Sequence, residues 1–298
     1  MSTDQFTQQD PTRQHPRSVS EGETVVHPGR TGDLDREPDH GEHSYRGSGR
    51  LTGKRAVVTG GDSGIGRAVA IAYAREGADV LITHLDAEHS DADDTAHWVE
   101  QAGRKVVTVA ADVREEDQCR RIVDTAVAEF GHIDILVSNA AYQMSQDGGL
   151  VDITSDQLDQ VMKTNVYALF WLCKATLPHL PEGSSIITTS SIQAFSPSPH
   201  LLDYATSKAA IVNFTKGLAA QLAEHGVRVN SVAPGPVWTP LIPSTMPEDK
   251  VRSFGTQAPM GRPAQPAELA SAYVFLASQE SSYVTAEVVA VTGGSPIV

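Results

Sequence analysis

The sequence predicts an α/β fold, a doubly wound parallel sheet in one domain that follows a polar N-terminal extension. From residue 51 onward, short apolar runs alternate with amphipathic runs, which is typical of successive βαβ units. With 298 residues, of which 40% are hydrophobic, the chain can bury one large core. Right-handed crossovers in such a sheet bring ligands to the carboxyl ends of the strands.

Each predicted element follows from its hydrophobic period. Strands are expected at 55–59, 79–83, 105–110, 133–138, 185–189, 228–232 and 288–291. Helices are expected at 66–76, 91–102, 115–130, 155–177, 204–225 and 266–277. Five residues stand at or just after strand ends, and we expect them to share one edge of the sheet: Thr59, Asp112, Asn139, Ser191 and Pro234.

Residues 1–50 differ in composition from the domain at 51–298. They are rich in Gly, Pro, His and charged residues, and such a stretch buries too little apolar surface to offset its chain entropy alone. Two interpretations stay open, a disordered tail or an arm that lies across its own or a neighbouring subunit. The histidines of this segment have no metal-ligand spacing, so we expect no metal there: His15, His27, His40 and His43.

Composition favours a cytoplasmic enzyme with a small-molecule substrate. The net charge of −14 and pI near 5.1 argue against nucleic acid or an anionic membrane as a partner. No window holds 18 uninterrupted apolar residues, and the polar start predicts no secretory signal. The two cysteines, Cys119 and Cys173, fall on predicted helices and are expected as free thiols.

A glycine-rich turn follows the first predicted strand. It runs Thr59-Gly60-Gly61-Asp62-Ser63-Gly64-Ile65-Gly66 and leads into an apolar helix. Glycines let the backbone approach a ligand, and the helix N-terminus offers free N–H groups to phosphate. The alternative is a tight βα turn without a ligand. The flanking strand and helix favour a dinucleotide site.

Tyr204 and Lys208 form the second informative pattern. A spacing of four places both on one helix face, about 6 Å apart along the axis. A neighbouring ammonium lowers the pKa of a phenol, which would make Tyr204 a usable proton donor and acceptor. The alternative is a half-buried Tyr beside a solvated Lys.

The two motifs, in this order, resemble those of the short-chain dehydrogenase/reductase family, which has a Rossmann fold and binds NAD or NADP. The family's Tyr-x-x-x-Lys matches Tyr204 and Lys208, its catalytic Ser falls on Ser191, and its catalytic Asn falls on Asn165. The resemblance implies that Tyr204 is the acid/base and that Lys208 lowers its pKa and binds the nicotinamide ribose. It also implies that Ser191 holds the substrate oxygen and that Asn165 anchors a water. Alternatives are Ser190 as the partner of the Tyr, and Asn165 as a residue that only kinks its helix.

The remaining motifs of the family extend the match from 51 to 294. Ser138-Asn139-Ala140-Ala141 stands where the family has Asn-Asn-Ala-Gly, so a Gly is lost there. The resemblance implies these cofactor-binding residues: Gly60, Asp62, Ser63, Gly64, Ile65, Gly66, His84, Leu85, Asp112, Val113, Asn139, Ala140, Ala141, Tyr204, Lys208, Pro234, Gly235, Val237 and Thr239. The chain looks most like a bacterial stress-associated branch with polar N-terminal extensions, described as NAD(P)-dependent aldehyde reductases or glucose/ribitol dehydrogenase homologues.

The choice between NAD and NADP depends on the end of the second strand. An acidic residue there would bind the ribose 2′-OH of NAD, and an Arg would bind the NADP phosphate. The chain has the uncharged residues His84 and Ser63 at the two deciding positions, with Asp86 and Glu88 close by. These carboxylates would repel a 2′-phosphate if they point inward, which favours NAD slightly, while the reductase relatives favour NADP.

The substrate region is expected at 142–151 and 193–202 and in a lid from 236 to about 257. Tyr142, Gln193, Phe195 and Trp238 could line the pocket or could serve in packing. The predicted reaction is hydride transfer between NAD(P) and a carbonyl or alcohol, such as an aldehyde, ketone or sugar alcohol. Alternatives are a catalytically idle dinucleotide-binding protein and a keto-acyl or keto-ester reductase.

Two helices predict a homotetramer. The helices at 155–177 and 204–225 carry apolar residues on more than one face, and a monomer would expose a large apolar patch. The residues concerned are Phe170, Trp171, Leu172, Phe214 and Leu218. Relatives bury these two helices against symmetry mates, and residues 1–50 are expected to add subunit contacts.

Overall fold

The computed structural model describes residues 4–297, and its centre is a seven-stranded parallel sheet. The strands are β1 Arg55–Val58, β2 Asp79–His84, β3 Val106–Ala110, β4 Ile135–Ser138, β5 Ser185–Thr189, β6 Arg228–Pro234 and β7 Val288–Val291. The helices are α1 Gly64–Arg75, α2 His89–Gln101, α3 Glu116–Phe130, α4 Ser155–Met162, α5 Ala168–Thr176, α6 Leu202–Leu222, α7 Leu241–Thr245, α8 Glu248–Arg252 and α9 Pro266–Ala277.

The strand order is β3-β2-β1-β4-β5-β6-β7, which confirms the predicted doubly wound sheet. The order reverses between β1 and β4, so the loops after these strands diverge and leave a crevice at their carboxyl ends. Within β1, Ala56 and Val58 pack on one side with α1 and α9, while Val57 packs on the other side with α3, α5 and α6. This alternation is the two-residue period of a strand whose faces are both buried.

The segment predicted as one helix at 155–177 is interrupted. Between α4 and α5 the chain forms a π-helical turn, Lys163–Tyr167, and a 3₁₀ turn, Leu177–His179, follows α5. Asn165 lies in the π turn, and its side chain bonds to the loop after β4, outside the helix. The helical period of the apolar residues continues across the turn, so the sequence pattern does not reveal it.

Residues 4–50 lie against their own domain. Glu76, just after α1, accepts hydrogen bonds from the Tyr45 hydroxyl at 2.7 Å, from the Ser48 amide at 2.9 Å and from the Arg50 guanidinium at 2.7 Å. Gln14 donates to Glu268 at 2.6 Å on the first turn of α9. None of the helices within residues 4–297 is long and apolar enough to cross a membrane.

Candidate active site

A cavity of about 520 Å³ opens at the carboxyl ends of the strands. Every residue predicted to bind the cofactor borders it except Gly66, and Ser191 borders it as well. Two predicted site residues therefore lie outside the cavity wall, Gly66 and Asn165. Both lie directly behind residues that do form the wall.

Gly66 packs inside the glycine-rich turn. A Cβ on Gly66 would lie only 1.8 Å from the Gly60 carbonyl oxygen, so no side chain fits there. Gly60 and Gly64 have φ values of +59° and +49°, which glycine adopts without strain. Ser63 is the N-cap of α1, and its side chain accepts no bond from the helix, so the first N–H groups remain for a ligand. This turn fits the pyrophosphate of a dinucleotide.

Asn139 and Thr59 hold the turn against β4. The Asn139 side chain donates to the carbonyls of Thr59 and Gly60, both at 3.2 Å. The Thr59 hydroxyl accepts from the amides of Asn139 at 3.0 Å and Ala140 at 3.1 Å. Asn139 thus fixes the backbone that borders the cavity. From the sequence motif alone, this structural role could not be told apart from direct contact with a ligand.

One end of the cavity is acidic. Asp62 is only 2% exposed and its Oδ2 has no hydrogen-bond partner in the structure. Burial and then the nearby Glu88 raise its pKa well above the usual range, and burial also raises the pKa of Glu88. Glu88 borders the cavity, whereas Asp86 is exposed and lies outside the wall. The sequence analysis considered Asp86 and Glu88 as groups that repel a 2′-phosphate, and of these only Glu88 borders the cavity. Asp62 is a second acidic residue in the cavity wall.

His84 and Asp112 have protein partners of their own. His84 is 3% exposed, and its Nδ1 lies 2.9 Å from the Leu85 carbonyl oxygen. The Asp112 carboxylate receives two bonds from the Arg114 guanidinium, Nη2 at 2.5 Å and Nε at 2.9 Å, and this pairing holds its pKa below the usual range. Both residues border the cavity with part of their surface.

Tyr204, Ser191 and Lys208 meet at the centre of the cavity. The Ser191 hydroxyl lies close enough to the Tyr204 phenol to act on its pKa, and the Lys208 Nζ lies 5.4 Å from the centroid of the Tyr204 ring. Lys208 is 2% exposed and its Nζ donates to the Thr189 carbonyl at 2.8 Å. The half-buried Tyr and solvated Lys of the alternative interpretation are therefore wrong.

Burial dominates the electrostatics of this group. It lowers the pKa of Lys208 to about 7, because an ammonium loses its hydration there. It raises the pKa of Tyr204 to about 12, although the hydrogen bond with Ser191 acts in the lowering direction. The expectation that Lys208 lowers the pKa of the phenol is therefore wrong for this structure, in which burial raises that pKa.

Ser191, not Ser190, faces the phenol. The Ser191 Oγ also accepts from the Gln193 amide at 3.1 Å, which fixes its rotamer. The Ser190 hydroxyl instead donates to the Lys208 carbonyl at 3.3 Å. The two serines follow β5 consecutively, and their side chains point in different directions.

Asn165 connects two walls of the cavity. Its Oδ1 accepts from the Tyr142 amide at 2.8 Å, and its Nδ2 donates to the Tyr142 carbonyl and the Ser207 hydroxyl, both at 2.9 Å. Ser207 in turn donates to the Tyr204 carbonyl at 2.7 Å. Asn165 therefore couples the loop after β4 to the turn of α6 that carries Tyr204.

The substrate end differs in part from expectation. Tyr142 and Gln193 border the cavity, but Phe195 is about one-third exposed outside it. Trp238 is buried at 1% exposure, where its Nε1 donates to the Arg36 carbonyl of the N-terminal segment at 2.8 Å. The lid at 236–257 contains the short helices α7 and α8, which the sequence pattern did not indicate.

Sequence reasoning missed His27 and Pro28, which also border the cavity. The His27 ring packs edge-on against the Tyr142 ring, with centroids 5.1 Å apart. Burial, and then the charge of Arg114, lowers the pKa of His27. No periodic pattern surrounds these residues, so only the tertiary structure could place them.

The chain is similar to many known oxidoreductases. A family model described as enoyl-(acyl carrier protein) reductase matches residues 60–295. An uncharacterised oxidoreductase of Escherichia coli, YghA, is 52% identical over 286 residues, which covers 96% of this chain and 97% of the relative. A glucose and ribitol dehydrogenase of Daucus carota is 45% identical, with 90% and 94% covered. The chloroplastic NADPH-dependent aldehyde reductase 1 of Arabidopsis thaliana is 43% identical, with 91% and 96% covered.

Solved structures agree with these relatives. A short-chain dehydrogenase of Burkholderia cenocepacia in complex with NADP has a TM-score of 0.77 at 32% identity, covering 82% of this chain and 98% of that chain. A 3-ketoacyl-(acyl-carrier-protein) reductase of Brucella melitensis complexed with NADH has a TM-score of 0.74 at 32% identity, with the same coverage. With the glycine-rich turn, the doubly wound sheet and the Ser191–Tyr204–Lys208 group in place, the chain belongs to the short-chain dehydrogenase/reductase family of oxidoreductases.

Proposed function

We propose that this protein transfers a hydride between NAD(P) and a carbonyl or alcohol substrate, with Tyr204 as the acid/base. The observation that carries the proposal is the grouping of Tyr204, Ser191 and the buried Lys208 in the wall of the cavity that the glycine-rich turn also borders. When bound, the nicotinamide ring supplies or accepts the hydride. The protein then needs to move one proton at the substrate oxygen, and Tyr204 has the only phenol in this group.

Each neighbour of Tyr204 has a role in that proton transfer. Ser191 holds the substrate oxygen next to the phenol, since its hydroxyl neighbours Tyr204 in the cavity wall. Lys208, with a pKa near 7, regains its charge when a ribose hydroxyl or a developing phenolate adds a partner, and its charge then favours the phenolate. Asn165 positions Tyr204 through Ser207 and the loop after β4.

We propose NAD as the preferred dinucleotide. The Asp62 Oδ2, which has no partner, and the inward-facing Glu88 can accept bonds from ribose hydroxyls, and neither residue offers a positive charge to a 2′-phosphate. His84, the residue at the end of β2, is buried and already bonded to the Leu85 carbonyl. The similar proteins include an NADPH-dependent reductase and complexes with NADP and NADH, so the preference rests on this chain's own residues.

The proposed substrates are aldehydes, ketones or sugar alcohols. Two of the similar proteins are a glucose and ribitol dehydrogenase and an aldehyde reductase. A keto-acyl or keto-ester substrate is a second candidate, favoured by the description of the family model and by the 3-ketoacyl reductase among the similar structures.

A turnover panel tests the proposal. Purified full-length protein is assayed with short aldehydes, ketones, sugars, sugar alcohols and a keto-acyl thioester, each with NADH or NADPH and their oxidised forms. We expect measurable hydride transfer with at least one aldehyde, ketone or sugar and a higher kcat/KM with NAD(H). Turnover of the thioester alone supports the second candidate. Tight dinucleotide binding without turnover of any substrate would establish an idle dinucleotide-binding protein.

A further inference from the structure

The N-terminal segment forms a closed loop over the active-site cavity. This N-terminal loop comprises residues 18–36, and its base is closed by two contacts. The Arg36 Nη1 donates to the Ser18 carbonyl at 2.8 Å, and the Asp35 amide donates to the Glu23 carboxylate at 2.7 Å. Compact loops whose ends lie together and are packed by their own side chains frequently carry function.

An apolar contact seats the base of the loop on the lid. Val19 and Leu34 are 4% and 7% exposed and pack in one cluster with Trp238, Ile242 and Val251. The bond from the Trp238 indole to the Arg36 carbonyl adds a buried polar contact. The loop is therefore attached to the lid by its base.

The tip of the loop crosses the mouth of the cavity from one side to the other. At one side, the Val25 amide donates to the Pro243 carbonyl of α7 at 3.1 Å. At the other side, the Thr31 amide donates to Asp91 in the first turn of α2 at 2.7 Å, close to the acidic end of the cavity. Gly29 fits closely between them, since a Cβ there would lie 3.0 Å from the Pro240 carbonyl oxygen.

Between these attachments, His27 and Pro28 form part of the cavity wall. The His27 ring packs on Tyr142, and the Tyr142 backbone is held by Asn165. Tyr142 directly follows Ala140 and Ala141, which border the cavity, and Ala140 lies against Gly60 of the glycine-rich turn. A dinucleotide seated on that turn would have the loop on its open side.

We propose that the N-terminal loop completes the dinucleotide site and that His27 is a residue that retains the bound cofactor. The loop closes the open side of the cavity between the lid and α2, so cofactor release requires His27 and Pro28 to move aside. This inference rests on the proposed dinucleotide binding and adds a part of the chain outside the Rossmann domain to the site.

The test measures cofactor release directly. Dissociation of NADH and of NADPH is followed by stopped-flow nicotinamide fluorescence, and their Kd by titration, in the full-length protein and in His27→Ala. We expect His27→Ala to raise the dissociation rate and the Kd by roughly three- to tenfold, the range for losing one aromatic ring contact. His27→Phe keeps the ring on Tyr142 and should restore most of the retention.

His15→Ala is the matched control. His15 belongs to the same segment and lies 3.8 Å from Glu268, away from the cavity, so its dissociation rate should stay within twofold of wild type. Gly29→Val should displace the loop from Pro240 without changing the His27 side chain, and we expect it also to raise the dissociation rate of the dinucleotide. Thermal melting of each variant checks that it is folded.

Three results would count against the proposal. Equal release rates in wild type, His27→Ala and Gly29→Val would overturn the role of the loop while leaving the dinucleotide site intact. If His15→Ala raised the dissociation rate as much as His27→Ala, any change in the segment would act through its stability, and this result would also overturn the loop proposal. Failure of the wild type to bind either dinucleotide would overturn the proposed function itself, and the loop proposal with it.

Discussion

At the scale of single residues, burial sets the pKa values of Tyr204 and Lys208 more than the charge of either side chain on the other does. Tyr204 and Lys208 are both almost fully buried, and burial moves their pKa values to about 12 and about 7. Each shift favours the neutral form. Near neutral pH the Tyr204 phenol is therefore neutral, and the pKa of the neighbouring Lys208 lies close to that pH.

We predict that Tyr204→Phe lowers kcat by on the order of a hundredfold or more, the usual contribution of a general acid–base group. The substitution removes the hydroxyl and keeps the ring, so the Kd for the dinucleotide should change little. Steady-state kinetics and fluorescence titration measure the two quantities. Near-normal turnover of the variant would show that another group moves the proton.

We predict that Lys208→Met stabilises the protein near pH 7 while abolishing turnover. A lysine whose pKa is lower in the folded than in the unfolded state binds fewer protons when folded, so wild-type stability rises as pH rises from about 7 towards 10.5. The neutral variant lacks this dependence. Its melting temperature should exceed that of wild type by several degrees at pH 7, since about 1 kcal/mol corresponds to roughly 2–4 °C in a large domain. The difference should shrink by pH 10, and a constant difference would contradict the assigned pKa shift.

We predict that His84→Arg shifts the dinucleotide preference towards NADP. His84 ends β2 at the acidic end of the cavity, and a guanidinium there would offset Asp62 and Glu88 and bind a 2′-phosphate. Titration of NADH and NADPH into wild type and variant gives the ratio of affinities. His97→Arg, an exposed position on α2, should leave the ratio unchanged. An unchanged ratio in His84→Arg would mean that the ribose lies elsewhere.

At the scale of secondary-structure elements, the end of α1 anchors the N-terminal segment through one carboxylate. Glu76 is fully buried, and burial alone would raise its pKa. The hydrogen bonds from Arg50 and Tyr45 outweigh burial and hold the pKa at about 2. A carboxyl with a lowered pKa in the folded state stabilises the protein fully above its ordinary pKa and progressively less as pH falls.

We predict that Glu76→Gln lowers the free energy of unfolding by about 2–4 kcal/mol, because the bonds from Arg50, Tyr45 and Ser48 lose a charged acceptor. Wild type should also lose stability as pH falls from about 4.5 towards 2, and the variant should lose less over this range. Urea denaturation at several pH values measures both effects. Glu280→Gln is the control, since Glu280 is more than half exposed at 3.6 Å from Arg50 and should matter by less than about 0.5 kcal/mol. Equal effects of the two substitutions would contradict the anchoring role.

The elements that the sequence did not reveal share a physical cause. The π turn at Lys163–Tyr167 arises where Asn165 bonds to the loop after β4, and that partner lies 23 residues away along the chain. Helices α7 and α8 are five residues each, too short for a hydrophobic period to appear. In both cases contacts distant in sequence, rather than local preference, determine the backbone.

At the scale of the whole molecule, an apolar surface remains on α5 and α6. Phe170 is 54% exposed and packs against Phe214 with ring centroids 4.5 Å apart, and Tyr167 is 46% exposed beside Trp171. Leu172 and Leu218, which the sequence analysis included in this surface, are buried in the core beneath the sheet. The exposed patch is therefore smaller than expected and is mainly aromatic.

We predict a homotetramer in which this aromatic surface is buried between subunits, because closed symmetry lets the same patch pair with itself. Light scattering of the full-length protein measures the mass. Phe170→Glu should shift the assembly towards smaller species, and Phe195→Glu, an exposed position away from the patch, should not. A variant starting at Gly49 tests whether the N-terminal segment adds subunit contacts. If the variant forms a tetramer as stable as that of the full-length protein, the segment makes contacts only within its own subunit. A monomeric wild type would contradict the prediction.

The sequence by itself determined the order of strands and helices, the glycine-rich turn and the residues Ser191, Tyr204 and Lys208. The elements, the turn and the Tyr204–Lys208 pair depend on local periods and short spacings, since a strand, a βα turn and one helix face are each encoded within a few consecutive residues. Ser191 was found only through the resemblance to the family. The tertiary structure decided which groups face one another. It brought Asp62 beside Glu88, turned Ser190 away from Tyr204, buried Trp238 under Arg36 and placed His27 in the cavity wall. Such pairings join residues far apart in the chain, so no local pattern records them. The N-terminal segment is the extreme case, because it gains its conformation only from the domain on which it packs.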